Sequence, residues 1–125
     1  ADIGVRGFSN TIQNNAGGGV GLARSSGARI LAAVISNNTG SGVLIDRVSH
    51  ADVGGSTING NSGDGIDVEE NSGLNLVTPT NSGSNSQFGL RCLIGAYARG
   101  SIGTLTGTSG RPTSFEGTCI NALSP

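Results

Sequence analysis

Laid against itself, the chain repeats every 23 residues. The segments Ile12-Gln13-Asn14-Asn15-Ala16-Gly17, Ile35-Ser36-Asn37-Asn38-Thr39-Gly40 and Ile58-Asn59-Gly60-Asn61-Ser62-Gly63 superpose. Each is followed by a glycine and two alternating apolar residues, in Gly19-Val20-x-Leu22, Gly42-Val43-x-Ile45 and Gly65-Ile66-x-Val68. A third column holds Ala28 and Ile30, Ala51 and Val53, Leu74 and Leu76, with Val5 and Gly7 one period earlier. A fixed period of this length is the mark of a repeat architecture, in which one supersecondary unit stacks on the next.

Each period contains three short runs of period-two alternation separated by Gly, Asn and Ser, which predicts three short strands per coil. Gly occurs in nearly every window and no 3.6-residue period is present, so helix is disfavoured. The chain contains 23 Gly, no Trp and no Met, and only 3% aromatic residues, so a core of a few large side chains is excluded. Regular recurrence of Ile, Leu and Val among the glycines separates it from a flexible linker. The fold expected is all-β, a parallel β-helix of about five coils, with inward residues stacked about 4.8 Å apart. Its right hand follows from the general hand of parallel crossovers.

The later chain keeps the pattern with slips. Phe88-x-Leu90-x-Cys92 falls one residue short of register, Thr104-Leu105-Thr106-Gly107 resembles Thr11-Ile12-Gln13-Asn14, and Phe115-x-Gly117-x-Cys119 resumes after Arg111-Pro112. In the turns, Asn15, Asn38 and Asn61 share a column in which each amide can bond the next. Gly17, Gly40 and Gly63 share another, read as requiring positive φ. Residues 1–125 are read as a single domain, expected to be a fragment or module of a larger protein, because open solenoid ends need a cap from a neighbouring domain or an oligomer.

An Asn-rich turn followed by Gly and an apolar strand, over about Val5 to Cys119, resembles the right-handed parallel β-helix repeat proteins of the pectate-lyase-like superfamily. Many relatives of that kind act on acidic polysaccharides. Some bind Ca²⁺ through clustered carboxylates and use an Arg as base, and others hydrolyse with paired carboxylates. The resemblance implies the fold and carries no residue-by-residue motif for activity.

If Val20, Val43, Ile66 and Phe88 face inward, one outward column reads Gly21, Leu44, Asp67, Gly89 and the next Ala23, Asp46, Glu69, Arg91. Asp46, Asp67, Glu69 and Arg91 then form one patch, with Arg47 and Glu70 at its margin. Clustered carboxylates can hold a hard cation, and a carboxyl pair at a set separation can hydrolyse a glycosidic bond. Opposite charges on adjacent rungs can equally form a solvated ladder that protects strand edges. Long loops that would wall a cleft are missing. The leading expectation is therefore a non-catalytic structural or binding module contacting carbohydrate. A polysaccharide lyase or glycoside hydrolase using those four residues is the alternative. No cofactor is required, and Ca²⁺ on Asp46, Asp67 and Glu69 is the one such a patch suits.

His50, the sole histidine, is read as a surface turn residue, with Ser49 and Asp52 near it in sequence. Cys92 and Cys119 fall in one column of consecutive coils, close enough for a disulfide or for two stacked buried thiols. A bridge suits a secreted, periplasmic or surface-displayed protein. Asn37-Asn38-Thr39 is a formal glycosylation acceptor, accounted for by the turn repeat. Thr11, Thr57, Thr80 and Thr104 form an outward column interrupted by Val34. Beside it run Gln13, Ser36, Asn59, Ser82 and Thr106, which are too mixed for the regular face of an ice-binding solenoid, the second alternative. Net charge is −1 and all seven basic residues are Arg without a basic run, which argues against nucleic acid as a partner. No apolar stretch is long enough to span a membrane.

Overall fold

The computed structural model describes residues 2–3, 9–108 and 111–124. The first coil holds β1 (Asp2–Ile3), β2 (Thr11–Gln13), β3 (Val20–Leu22) and β4 (Gly27–Leu31). The second holds β5 (Val34–Ser36), β6 (Val43–Ile45) and β7 (His50–Gly54), and the third β8 (Thr57–Asn59), β9 (Ile66–Val68) and β10 (Gly73–Val77). The fourth holds β11 (Ser82–Asn85), β12 (Leu90–Cys92) and β13 (Tyr97–Gly100), and the last β14 (Thr104–Gly107), β15 (Thr113–Phe115) and β16 (Ile120–Leu123).

Every strand pairs in parallel with its equivalent one coil away. The three sheets run β1-β4-β7-β10-β13-β16, β2-β5-β8-β11-β14 and β3-β6-β9-β12-β15. This is the expected β-solenoid. Alternation within each strand sends Val20, Val43, Ile66 and Leu90 inward in one stack, and Leu22, Ile45, Val68 and Cys92 in the next. Ile35 and Ile58 form the stack from the second sheet, and Ile30, Val53 and Leu76 that from the first. Branched side chains of similar volume, repeated one rung apart, fill this narrow interior without large aromatics.

The asparagine column forms a continuous ladder. Asn15 Nδ2 donates to Asn38 Oδ1 at 2.9 Å, Asn38 Nδ2 to Asn61 Oδ1 at 2.9 Å, and Asn61 Nδ2 to Asn85 Oδ1 at 2.8 Å. Asn85 is the member that the 23-residue period does not reach, since it lies 24 residues after Asn61. A second internal ladder runs at the tight corner between first and second sheets. There Ala33 N donates to Ser56 Oγ, and Ser56 N to Asn81 Oδ1.

Several details differ from the sequence reading. Positive φ falls on Asn14, Asn37 and Gly60, not on Gly17, Gly40 and Gly63. Close approach of the preceding coil explains Gly40 and Gly63, where a Cβ would press on Gly18 N at 3.1 Å and on Ser41 N at 2.9 Å; around Gly17 there is open space. The connection 78–81 is longer than its equivalents, so the outward column is Thr11, Val34, Thr57, Ser82 and Thr104, without Thr80. Its companion in the fourth coil is Ser84, not Ser82. Val5 and Gly7 lie outside the described residues, and the place opposite Ile30 is taken by Ile3. Cys92 lies opposite Phe115, so Cys119 is not its column partner. The two cysteines are nonetheless joined by a disulfide, with Cα atoms 6.1 Å apart, because Cys119 lies in the corner after β15, whose first residue, Glu116, bonds Cys92 O through its N–H.

Candidate functional site

The third sheet places the charged residues. Leu90, not Phe88, is the inward residue opposite Ile66, so Arg91 stands in the outward column of Gly21, Leu44 and Asp67. The column of Asp46 and Glu69 continues instead to Leu93, whose N–H bonds Val68 O as Glu69 N bonds Ile45 O. This register sets the electrostatics of the patch. Arg91 Nη2 lies 3.2 Å from Asp67 Oδ2, and Arg91 Nε lies 3.0 Å from Oδ2 of Asp64. The second contact is close enough for an ion pair but not aligned as a hydrogen bond.

Asp64 was not singled out from the sequence, where it reads as one more turn residue. It is fully buried in the connection before β9, in the column of Ser41 and Phe88. Its Oδ1 accepts the Phe88 N–H at 3.1 Å, and its own N–H donates to Ser41 Oγ. The signal for it was the slip at Phe88, which marks where the chain bends over a buried carboxylate.

Glu69 and Asp46 are half-buried beside this pair, and Glu70 reaches Arg47 Nε at 3.7 Å. Carboxylate oxygens of Asp46, Glu69 and Glu70 lie within 4.8 Å of one another. That set differs from Asp46, Asp67 and Glu69, since Asp67 turns to Arg91. Asp46 Oδ1 and Asp67 Oδ1 are buried without a hydrogen-bond partner. The three clustered oxygens fit a hard cation such as Ca²⁺, which takes several carboxylate oxygens.

Burial pushes the carboxyls of Asp64 and Asp67 above the ordinary value, against the lowering effect of the Phe88 N–H on Asp64 and of Arg91 on both. Glu69 is also raised, by burial first and then by the charges of Asp67, Glu70 and Asp46. Each group therefore binds its proton more tightly in the folded chain than in the unfolded one, and the folded state gains stability as pH falls through the raised values. Thermal unfolding midpoints are expected to rise from neutral pH toward the ordinary aspartate value of 3.8, then level off. Asp64→Asn should flatten that rise. Midpoints that fall steadily from pH 7 would contradict this assignment.

On the first sheet, His50 lies in β7 and not in a turn. Its Nδ1 is 3.3 Å from the Tyr97 hydroxyl and its Nε2 3.5 Å from Asp52 Oδ1. Ser49 is buried and its N–H donates to Ser72 Oγ, so it belongs to the internal scaffold.

Three open strand ladders wound around one apolar stack define a parallel β-solenoid. A right handed beta helix region is matched over residues 5–104, and the chain belongs to that right-handed β-helix family. No curated protein and no solved structure matches it significantly.

Proposed function

We propose that this β-helix module is non-catalytic and presents its flat strand ladders to carbohydrate as part of a secreted or surface-displayed protein. One observation carries the reading. From β2 to β16 the connections are short, the longest being 14–19, 37–42 and 60–65, and among the described residues no walls rise beside any sheet. An enzyme on an extended polymer needs walls that exclude water and hold a sugar in register with the reacting groups. An open ladder suits a polymer lying along it. Asp64 and Asp67 also support the reading, because Arg91 covers them and they are the most deeply buried of the carboxylates.

A lyase or hydrolase is the second reading, favoured by Glu69, which is partly accessible and whose raised carboxyl has general-acid character. With Ca²⁺ bound, Asp46, Glu69 and Glu70 would instead hold the ion as ionised carboxylates, with the role of neutralising acidic sugars, and Glu69 would not serve as the acid.

Binding and turnover on a panel of acidic and neutral polysaccharides, with and without Ca²⁺, separates the two readings. Binding without new reducing ends or unsaturated products is expected from both the native chain and Glu69→Ala. Product formation that disappears in Glu69→Ala would transfer the function to the carboxylate patch.

A further inference from the structure

Outward residues of the first sheet form a surface unlike the carboxylate patch. One row reads Gly27, His50, Gly73 and Tyr97, and the next Arg29, Asp52, Asn75 and Arg99, each one rung from its neighbour. Gly73 has no side chain, and the Tyr97 ring occupies the space above it; a Cβ there would collide with ring carbons and the hydroxyl. The ring therefore lies across the rungs, with its hydroxyl at His50 Nδ1 and the two ring centroids 6.3 Å apart. Tyr97 still exposes 36% of its surface, while Gly73 beneath it is buried.

The second row gives this platform polar edges. Asp52 Oδ1 accepts from Asn75 Nδ2 at 3.2 Å and lies near His50, so both planar groups are held in place. Arg29 and Arg99 stand exposed in that row, three rungs or about 14 Å apart, with Asp2 on the rung before Arg29 and Ala122 on the rung after Arg99. Among the described residues, neither guanidinium has an ion-pair partner.

From this arrangement we infer that the β4–β7–β10–β13 face is a binding site for an acidic polysaccharide running along the solenoid axis. A fixed aromatic face takes the apolar face of a sugar ring. The remaining oxygen of Asp52 and the Asn75 carbonyl accept hydroxyl protons. Arg29 and Arg99 take carboxylate or sulfate groups, for which a guanidinium is the suited partner. Charge favours this face over the other, since Arg29 and Arg99 here offset Asp2 and Asp52, whereas Asp46, Glu69 and Glu70 repel an acidic polymer in the absence of a cation. The inference rests on the carbohydrate-module reading and assigns it a place and a ligand class.

Affinity electrophoresis in gels containing polygalacturonate, alginate or a neutral β-glucan tests it. The native chain should be retarded by at least one of the two acidic polymers, less so as salt is raised, and not by the glucan. Tyr97→Ala and the double variant Arg29→Ala/Arg99→Ala should each weaken binding roughly tenfold or more, as loss of a central aromatic or Arg contact does. Tyr97→Phe should keep the ring and most of the affinity, and Arg111→Ala, which removes an exposed Arg outside this face, should bind as the native chain. Circular dichroism of each variant separates lost binding from lost folding, and if Tyr97→Ala fails to fold, the Arg variant decides. Native affinity in the Tyr97 and Arg variants would overturn this site and leave the module reading intact. Equal retardation by the glucan would overturn the acidic ligand class. Retardation by none of the three polymers would remove both the site and the carbohydrate reading.

Discussion

Asn61→Ala is expected to destabilise the fold by roughly 3–4 kcal/mol, since several buried groups lose partners worth about 1–3 kcal/mol each when left unsatisfied. The Asn61 carboxamide sits at the centre of the ladder and is fully buried. Its oxygen accepts from Asn38 N and Asn38 Nδ2, and its nitrogen donates to Asn85 Oδ1 and Ile35 O. Removing it leaves the Asn38 N–H facing a dry interior without an acceptor. Asn15→Ala is the matching control. Asn15 is exposed at the end of the ladder and its backbone N–H keeps its bond to Asn38 Oδ1, so a loss below about 1 kcal/mol is expected. Urea midpoints of the two variants measure the contrast, and equal losses would mean that the ladder does not bear on stability as described.

Gly42→Ala should cost roughly 2–3 kcal/mol, the range for forcing extra volume into a packed interior. A Cβ at Gly42 would stand 2.7 Å from Gly65 O, 2.9 Å from Asn61 Nδ2 and 2.6 Å from an Ile58 methyl. Two of these neighbours are the next coil's backbone and ladder, which cannot move away singly. Gly21 faces outward from β3 with no atom within 4 Å of the same position. Gly21→Ala should therefore be neutral or stabilising by about 0.5 kcal/mol, through the reduced freedom of the unfolded chain. Opposite signs at two glycines one coil apart would be hard to obtain from any other packing, and thermal midpoints of both variants provide the check.

How far the sequence could be read follows from where coil lengths change. Through the first three coils the connections keep constant length, so the columns of Ile12, Val20 and Asn15 could be found by superposition. A longer connection at 78–81 and a shorter one at 86–89 shift the later rungs, and spacing alone cannot place a residue after such a shift. Phe88 shows why. An aromatic residue two places before Leu90 suggests core, yet it occupies the turn column of Ser41 and Asp64 and is only half-buried. Reading it as inward moved Arg91 one column away from its true partners. Asp64 was hidden for a related reason, because carboxylates are common in turns and only the fold shows that this turn is covered. The His50–Tyr97 contact spans 47 residues and depends on a side chain that is missing, at Gly73. The column of Gly27, His50 and Gly73 was visible, but nothing local says that a ring from the next coil lies across it.

The distance between spin labels at positions 13 and 106, introduced with the native disulfide retained, tests the central claim that distant residues share one column of a single stack. Gln13 lies opposite Ser36, Ser36 opposite Asn59, and Thr106 opposite Ser84, so the two labelled positions are four rungs apart on one sheet. A narrow distribution centred near about 19 Å, broadened only by the label arms, is the predicted result. A broad distribution, or a maximum displaced by more than about two rungs, roughly 10 Å, would contradict the continuous solenoid and the rung assignments that place Arg91, Asp67 and Tyr97.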